Sequence, residues 1–391
     1  MTIALIHATA YPISGPVIED ATILIENGQI SAVSTALDIA EDIPCIDLTG
    51  KFVMPGLIDA HCHIGVMAEG VGDTEHDVNE RTDPITPHLR AIDAIHPQDM
   101  AFEDALKGGV TLVNTGPGSA NLVGGQCAVI RTFGRTVEEM AVLAPSAMKL
   151  ALGENPKRVY GRVQGKAPAT RMGNAAMLRE WLMKAQDYAD SSAYPDVSSK
   201  HCRDLRLQEL ARVVRGELAV HVHCHRADDI MSAIRIAEEF ALRLVLVHAT
   251  EGYLVSDIIA EKNIPCLVGP VIRSRRKYET RGMRLDNFFK LQKSGVQVAM
   301  QTDELSMTRL LRVCGALMVQ EGVSEDVALR SMTLTPAEIL GLNKMYGSLE
   351  AGKSADLIVL SAPPLEIAHS RVEQVYMSGS CVWSKQEVQD G

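Results

Sequence analysis

The chain has 391 residues, 46% hydrophobic and 22% charged, the balance of a globular protein of two or three domains or of one large barrel with an accessory part. That composition excludes global disorder, and no apolar run approaches the roughly eighteen residues needed to cross a bilayer. A formal net charge of −11 argues against double-stranded nucleic acid, whose binding depends on Lys and Arg neutralising phosphates.

The opening MTIALIHATA has no basic segment ahead of an apolar stretch, so no secretory signal is expected. Eight cysteines without a CxxC pair fit free thiols in a reducing cytoplasm. Residues 1 to about 50 read as short strands. Asn27-Gly28 sits between two β-branched runs, the signature of a tight hairpin. The C-terminal stretch reads similarly: Leu357–Leu360, then Val372 to Val382 with a Ser378-Gly379 turn. Two strand-rich ends around a different middle predict one discontinuous β-domain.

In the middle, strands are expected near 52–60, 110–115, 127–133, 146–152, 218–225, 243–249, 265–269 and 296–302. They are short and barely alternate, as strands buried on both faces do. Between them, Met177, Leu178, Trp181, Leu182, Ala185 and Tyr188 form one helical stripe, and Ile230, Ile234, Ala237 and Ala241 another. Strands alternating with helices predict an α/β fold, a (β/α)8 TIM barrel.

In such a barrel, chemistry gathers where strands end. The first strand ends in His61-Cys62-His63, and residues two apart share a face. Both imidazoles can bind a metal, or be satisfied by backbone carbonyls. Lys149 lies inside an apolar strand, where a charge is costly. A neutral lysine there can take up carbon dioxide as a carbamate; alternatively its stem packs and its head reaches water. His221, His223 and His225 alternate along the next strand; the last is nearest the mouth, and the inner two read as hydrogen-bonded core groups. His248 closes another apolar strand, and Asp303 ends the eighth; a carboxylate so placed needs a cation or several donors.

The order of these residues along the strands, with GKFVMPGLIDAHCH near the start and GSLEAGKSADLIVL near the end, resembles the amidohydrolase superfamily over nearly the whole length, closest to its imidazolonepropionase-like and prolidase-like branch. The resemblance implies a composite β-sandwich from residues 1–52 and 342–391 around a metal-dependent barrel of residues 53–341. By motif, it implies a divalent metal, zinc first among candidates, held by His61, His63, His225, His248 and Asp303. With two ions, a carboxylated Lys149 bridges them; with one, His248 instead hydrogen-bonds the substrate. Asp303 is then the general base and acid for water activated at the ion. Asp303-Glu304-Leu305 departs from the His-Pro that often follows this aspartate in related enzymes, which leaves the substrate open.

Substrate contacts are expected from loops after the strands. The Gly-rich run 115–125 holds Asn121; Arg158 and Tyr160 follow the fourth strand; Arg273 begins the basic run Arg273, Arg275, Arg276 and Lys277. A lid-like segment 67–98 holds His76 and His88. Each of these also has a plain surface or connector reading. The expected function is hydrolysis of a C–N bond outside ordinary peptides: a cyclic amide or imide, a dipeptide or an N-acyl amino acid. The alternatives are a heterocycle deaminase and a non-catalytic barrel scaffold. The expected partner is a small molecule, with no nucleic acid and no membrane, in a homo-oligomer on base rate alone.

Overall fold

A computed structural model of the protein describes residues 2–70, 76–193 and 203–385. The chain opens with β1 (Thr2–Ala10), β2 (Ile18–Glu26), β3 (Gln29–Ser34), β4 (Cys45–Asp47) and β5 (Phe52–Pro55). The middle carries β6 (Leu57–Cys62), β7 (Val110–Thr115), β8 (Val123–Arg131), β9 (Ala141–Ala151), β10 (Val220–Cys224), β11 (Leu244–His248), β12 (Cys266–Val268) and β13 (Val298–Met300). It closes with β14 (Leu357–Leu360), β15 (Val372–Met377) and β16 (Ser380–Ser384). The two ends form one sheet, with β14 pairing β5, and β6 to β13 form a second in chain order. Among the described residues, no helix is long and apolar enough to cross a membrane.

The hairpin expected at Asn27-Gly28 joins β2 to β3. Both residues take positive φ and Glu26 faces Gln29, the two-residue turn whose twist matches its strands. Ser378-Gly379 repeats it between β15 and β16. Along β14, Leu357 and Val359 pack with Leu5, Ile23 and Val53, while Ile358 and Leu360 join the barrel's core. A strand buried on both faces has no need to alternate.

One expected strand proves to be two. The run 52–60 breaks at Gly56, with β5 in the terminal sheet and β6 in the barrel. At the break a Cβ would stand 2.2 Å from Thr111 Oγ1, so only glycine lets the chain cross from one sheet to the other.

The barrel has seven parallel strands and one inverted strand. β8 runs antiparallel to both β7 and β9. Only residues 116–122 join β7 to β8, and the link to β9 carries one short helix, Val137–Met140. Such short links join antiparallel neighbours, whereas a parallel crossover takes a dozen or more residues. Elsewhere helices do connect the strands, among them Met100–Lys107, Arg171–Ala193, Leu205–Val214 and Ala227–Glu239. Leu178, Leu182 and Ala185 bury the stripe of one long helix, and Ile230, Ile234 and Ala237 that of another; Ala241 falls beyond its helix.

The seam between β13 and β6 is closed by side chains and by an inserted segment. At the base, Ile58 N–H donates to Met332 O at 2.8 Å and Met300 N–H to Ser331 O at 2.9 Å. At the mouth, buried Asp59 accepts from His61 N–H and Thr302 N–H at 3.2 Å each and from the Thr302 hydroxyl at 2.5 Å. Asp303 N–H then donates to His61 O at 3.1 Å. This sets the last strand end beside the first.

Candidate metal centre and active site

Among the described residues, two groups of three donors meet inside the mouth. His61, His63 and Asp303 form one, and His223, His225 and His248 the other, the ligand atoms of each lying within 4.8 Å of one another. The groups adjoin. Asp303 Oδ1 is 3.5 Å from Nε2 of both His63 and His248 and 3.8 Å from His61 Nε2. Lys149 is 1% exposed, with Nζ 2.6 Å from His61 Nε2.

The backbone selects which imidazole nitrogen faces inward. His63 Nδ1 meets Gly116 O at 2.8 Å, and His248 Nδ1 meets Gly269 O at 2.8 Å. A carbonyl only accepts, so Nδ1 carries the proton and Nε2 keeps its lone pair for the site. His225 Nδ1 shares a hydrogen bond of 2.7 Å with Thr250 Oγ1, turning its Nε2 inward as well. Two strand ends are held in the left-handed region: His248 has φ 72° and Ala249 φ 42°, and Asp303 has φ 60°. Non-glycine residues rarely adopt this conformation unless the surroundings enforce it.

Burial pushes His61, His223, His225 and His248 well below their ordinary 6.5, so the imidazoles are neutral, as metal ligands must be. Burial also pushes the Lys149 ammonium down. Burial alone would push Asp303 up, but His248, His63 and His61 hold it well below the usual carboxylate range. His248 Nε2 is buried with no hydrogen-bond partner among the described residues. A neutral, orphaned nitrogen beside an ionised carboxylate and further imidazoles fits a divalent cation. The residues present are therefore suited to the metal that the resemblance implies.

His61, His63, Lys149, His225, His248 and Asp303 all come together. His223, read as a hydrogen-bonded core group, is buried and also belongs to one of the donor groups. Its Nε2 lies 3.4 Å from Asn155 Nδ2, inside the site, and the two-residue period along β10 already placed it on the face of His225. His221 remains in the core near Asn114.

Arg273 NH1 donates to Asp303 Oδ2 at 2.6 Å. It stands between two clefts of about 570 and about 530 Å3. The larger is lined by His63, Ser119, His76, Arg276, Lys277 and Asp303, the smaller by His225, His248, Val271, Phe288 and Arg284.

The remaining expected contacts lie elsewhere. Asn121 donates its amide to Asp83 O at 2.9 Å and Thr86 Oγ1 at 3.0 Å, and the Tyr160 hydroxyl donates to Asp83 O at 2.8 Å. Both fasten the segment after the first barrel strand. Arg158 is exposed and lines neither cleft; nor does His88. From that segment it is His76 that reaches the larger cleft. Residues 71–75 of the expected lid lie outside the described residues. Strand periodicity gave no sign of Glu279 and Asn155, which loops bring to His223, whereas Lys277 belongs to the basic run already singled out.

The Amidohydrolase family pattern matches residues 52–382. The crystal structure of an amidohydrolase from Thermotoga maritima MSB8 superposes with a TM-score of 0.95 at 42% identity, covering 98% of this chain and 100% of that one. Amidohydrolase tasK of Hapsidospora irregularis is 27% identical over 95% of this chain, which spans only 42% of that protein's length. A 5-methylthioadenosine/S-adenosylhomocysteine deaminase of Bacillus cereus (strain 03BB102) is 24% identical over 88% of this chain and 81% of its own length. The chain belongs to the amidohydrolase family, hydrolases that act on carbon–nitrogen bonds.

Proposed function

We propose that the protein hydrolyses a C–N bond in a small substrate bearing a free carboxylate, an N-acyl amino acid or a dipeptide, at a two-ion centre bridged by a carboxylated Lys149. The observation that carries this is the place of Lys149: buried, against His61, where the two donor groups adjoin. An uncharged amine in that position can bond carbon dioxide and lose one proton, giving an anion with two oxygens for two cations. His61, His63 and Asp303 would hold one ion, and imidazoles from His223, His225 and His248 the other. When bound, divalent ions lower the pKa of water and polarise a carbonyl oxygen.

The chain's own residues supply the proton traffic. Asp303 Oδ1 faces the imidazoles while Arg273 holds Oδ2. It is placed to take a proton from the attacking water. It returns that proton to the leaving nitrogen as the C–N bond breaks, so that water and amide become a carboxylic acid and an amine, which separate as carboxylate and ammonium once the acid's proton passes to the amine. Arg273, Arg276 and Lys277 gather cations at the cleft of a chain with net charge −11, which supports an anionic substrate, since guanidinium groups pair carboxylates through parallel hydrogen bonds.

The test is Lys149→Ala. Metal content should fall from about two equivalents to about one, activity should fall with it, and short carboxylic acids should restore part of both by replacing the carbamate. Two equivalents retained by the variant would refute the bridge. The similarity to a deaminase favours a second reading, release of ammonia from a heterocycle. Turnover of amino-substituted purines, but not of N-acyl amino acids or dipeptides, would establish it.

A further inference from the structure

We propose that Glu279 is a further metal ligand, completing the coordination of the ion held by His223 and His225. This rests on the reading that the imidazole cluster binds divalent ions.

Glu279 lies in the turn Tyr278–Thr280, on the loop after β12, and is 1% exposed. Its two oxygens have different surroundings. Oε2 accepts from Glu154 N–H at 2.9 Å. Oε1 is buried and has no hydrogen-bond partner among the described residues. That bare oxygen stands 3.8 Å from Nε2 of His223 and 3.8 Å from Nε2 of His225. These separations are too long for hydrogen bonds; His225 Nε2 and the bare oxygen face each other, and His223 Nε2 beside them receives only a long contact of 3.4 Å from Asn155 Nδ2. Two imidazole nitrogens and one carboxylate oxygen are a donor set suited to zinc and similar ions.

The surroundings are shaped to hold this carboxylate. Gly153 passes so close that a Cβ would stand 2.7 Å from Glu279 Oε2, and its φ is 87°. A side chain there would displace the carboxylate. Lys277 Nζ is the competing cation, also 3.8 Å from Oε1. It is turned instead onto Asn155 Oδ1 at 2.8 Å, so the lysine does not satisfy the bare oxygen. His225 is locked by Thr250 at its other nitrogen and presents Nε2 towards Glu279.

The test uses the full chain and Glu279→Gln, which keeps the side chain's size and an oxygen to accept from Glu154. Zinc affinity and stoichiometry are read by competition with a chromophoric chelator, and the cobalt-loaded visible spectrum reports the ligand set. Melting of both metal-free proteins checks that the variant folds. The expected result is two ions in the parent chain, with one held at least about tenfold more weakly in the variant and its cobalt spectrum altered. Two ions held equally in both proteins would overturn the role of Glu279 and leave the two-ion reading intact. A single ion in the parent, weakened in the variant, would keep Glu279 and remove the two-ion reading. A single ion held equally by both would overturn both. If the variant fails to melt cooperatively, Glu279→Asp decides. It keeps the charge on a shorter stem, and unchanged zinc affinity with an unchanged cobalt spectrum would likewise overturn the proposal.

Discussion

The terminal sheet and the barrel mouth are built from the same material, short β-branched strands, yet they treat polar groups in opposite ways. In the sheet, Leu5, Ile23, Val53, Leu357 and Val359 close on one another, and the tight turns take φ-permissive residues where sterics require them. At the mouth, His61, Lys149, His223 and His248 are just as buried, and His248 and Asp303 hold unfavourable backbone angles. Burial in the sheet stabilises. Burial at the mouth costs free energy, keeps imidazoles neutral and disfavours the charge on a lysine, the kind of perturbation that gathers at functional sites.

This contrast can be broken or sharpened experimentally. The largest effect is expected from acid on the metal-free protein. The folded state keeps the buried histidines unprotonated, with His221 pushed down to about 3, whereas in the unfolded chain they take up protons from about pH 6.5 downwards. The unfolded state therefore binds more protons, and stability should fall as pH drops from about 6.5 towards 3. Asp59 acts oppositely. Burial raises its carboxyl to about 7, so its contribution grows as pH falls from about 7 to 4. Denaturant midpoints measured across this range should fall with acid, and fall more steeply in Asp59→Asn. A flat profile would mean that the mouth carries no such cost.

Next comes Asp303→Asn, which should lower kcat by about 10²- to 10⁴-fold with an unchanged far-ultraviolet spectrum. Near-parental turnover would remove the aspartate from proton transfer. Leu357→Ala should do the reverse, costing about 2–5 kcal/mol of stability while metal content per folded molecule stays constant; lost metal would show that the two regions are coupled. The smallest effect is expected from Arg273→Gln. It should raise KM about tenfold for a carboxylate substrate, the loss of one charge-assisted contact, and leave KM unchanged for the corresponding amide. Equal effects on both would make Arg273 a positioning residue for Asp303 rather than a substrate contact.

Much of this molecule could be read from its residues. The apolar runs and the turns at Asn27-Gly28 and Ser378-Gly379 announced the strands, because side-chain period and φ preference act locally. His61, His63, Lys149, His225, His248 and Asp303 stood out because charged or ligating groups at apolar strand ends violate the local pattern. The terms that were not local could be settled only by the tertiary structure. The short links on either side of β8 invert one strand, and the crowding at Gly56 splits one run between two sheets. His223 counts as a site residue because of what faces it across the mouth, and Glu279 because a distant loop brings its unpartnered oxygen beside two imidazoles. Periodicity reports which face of a strand a residue occupies, whereas the partner on the other side depends on how the whole sheet closes.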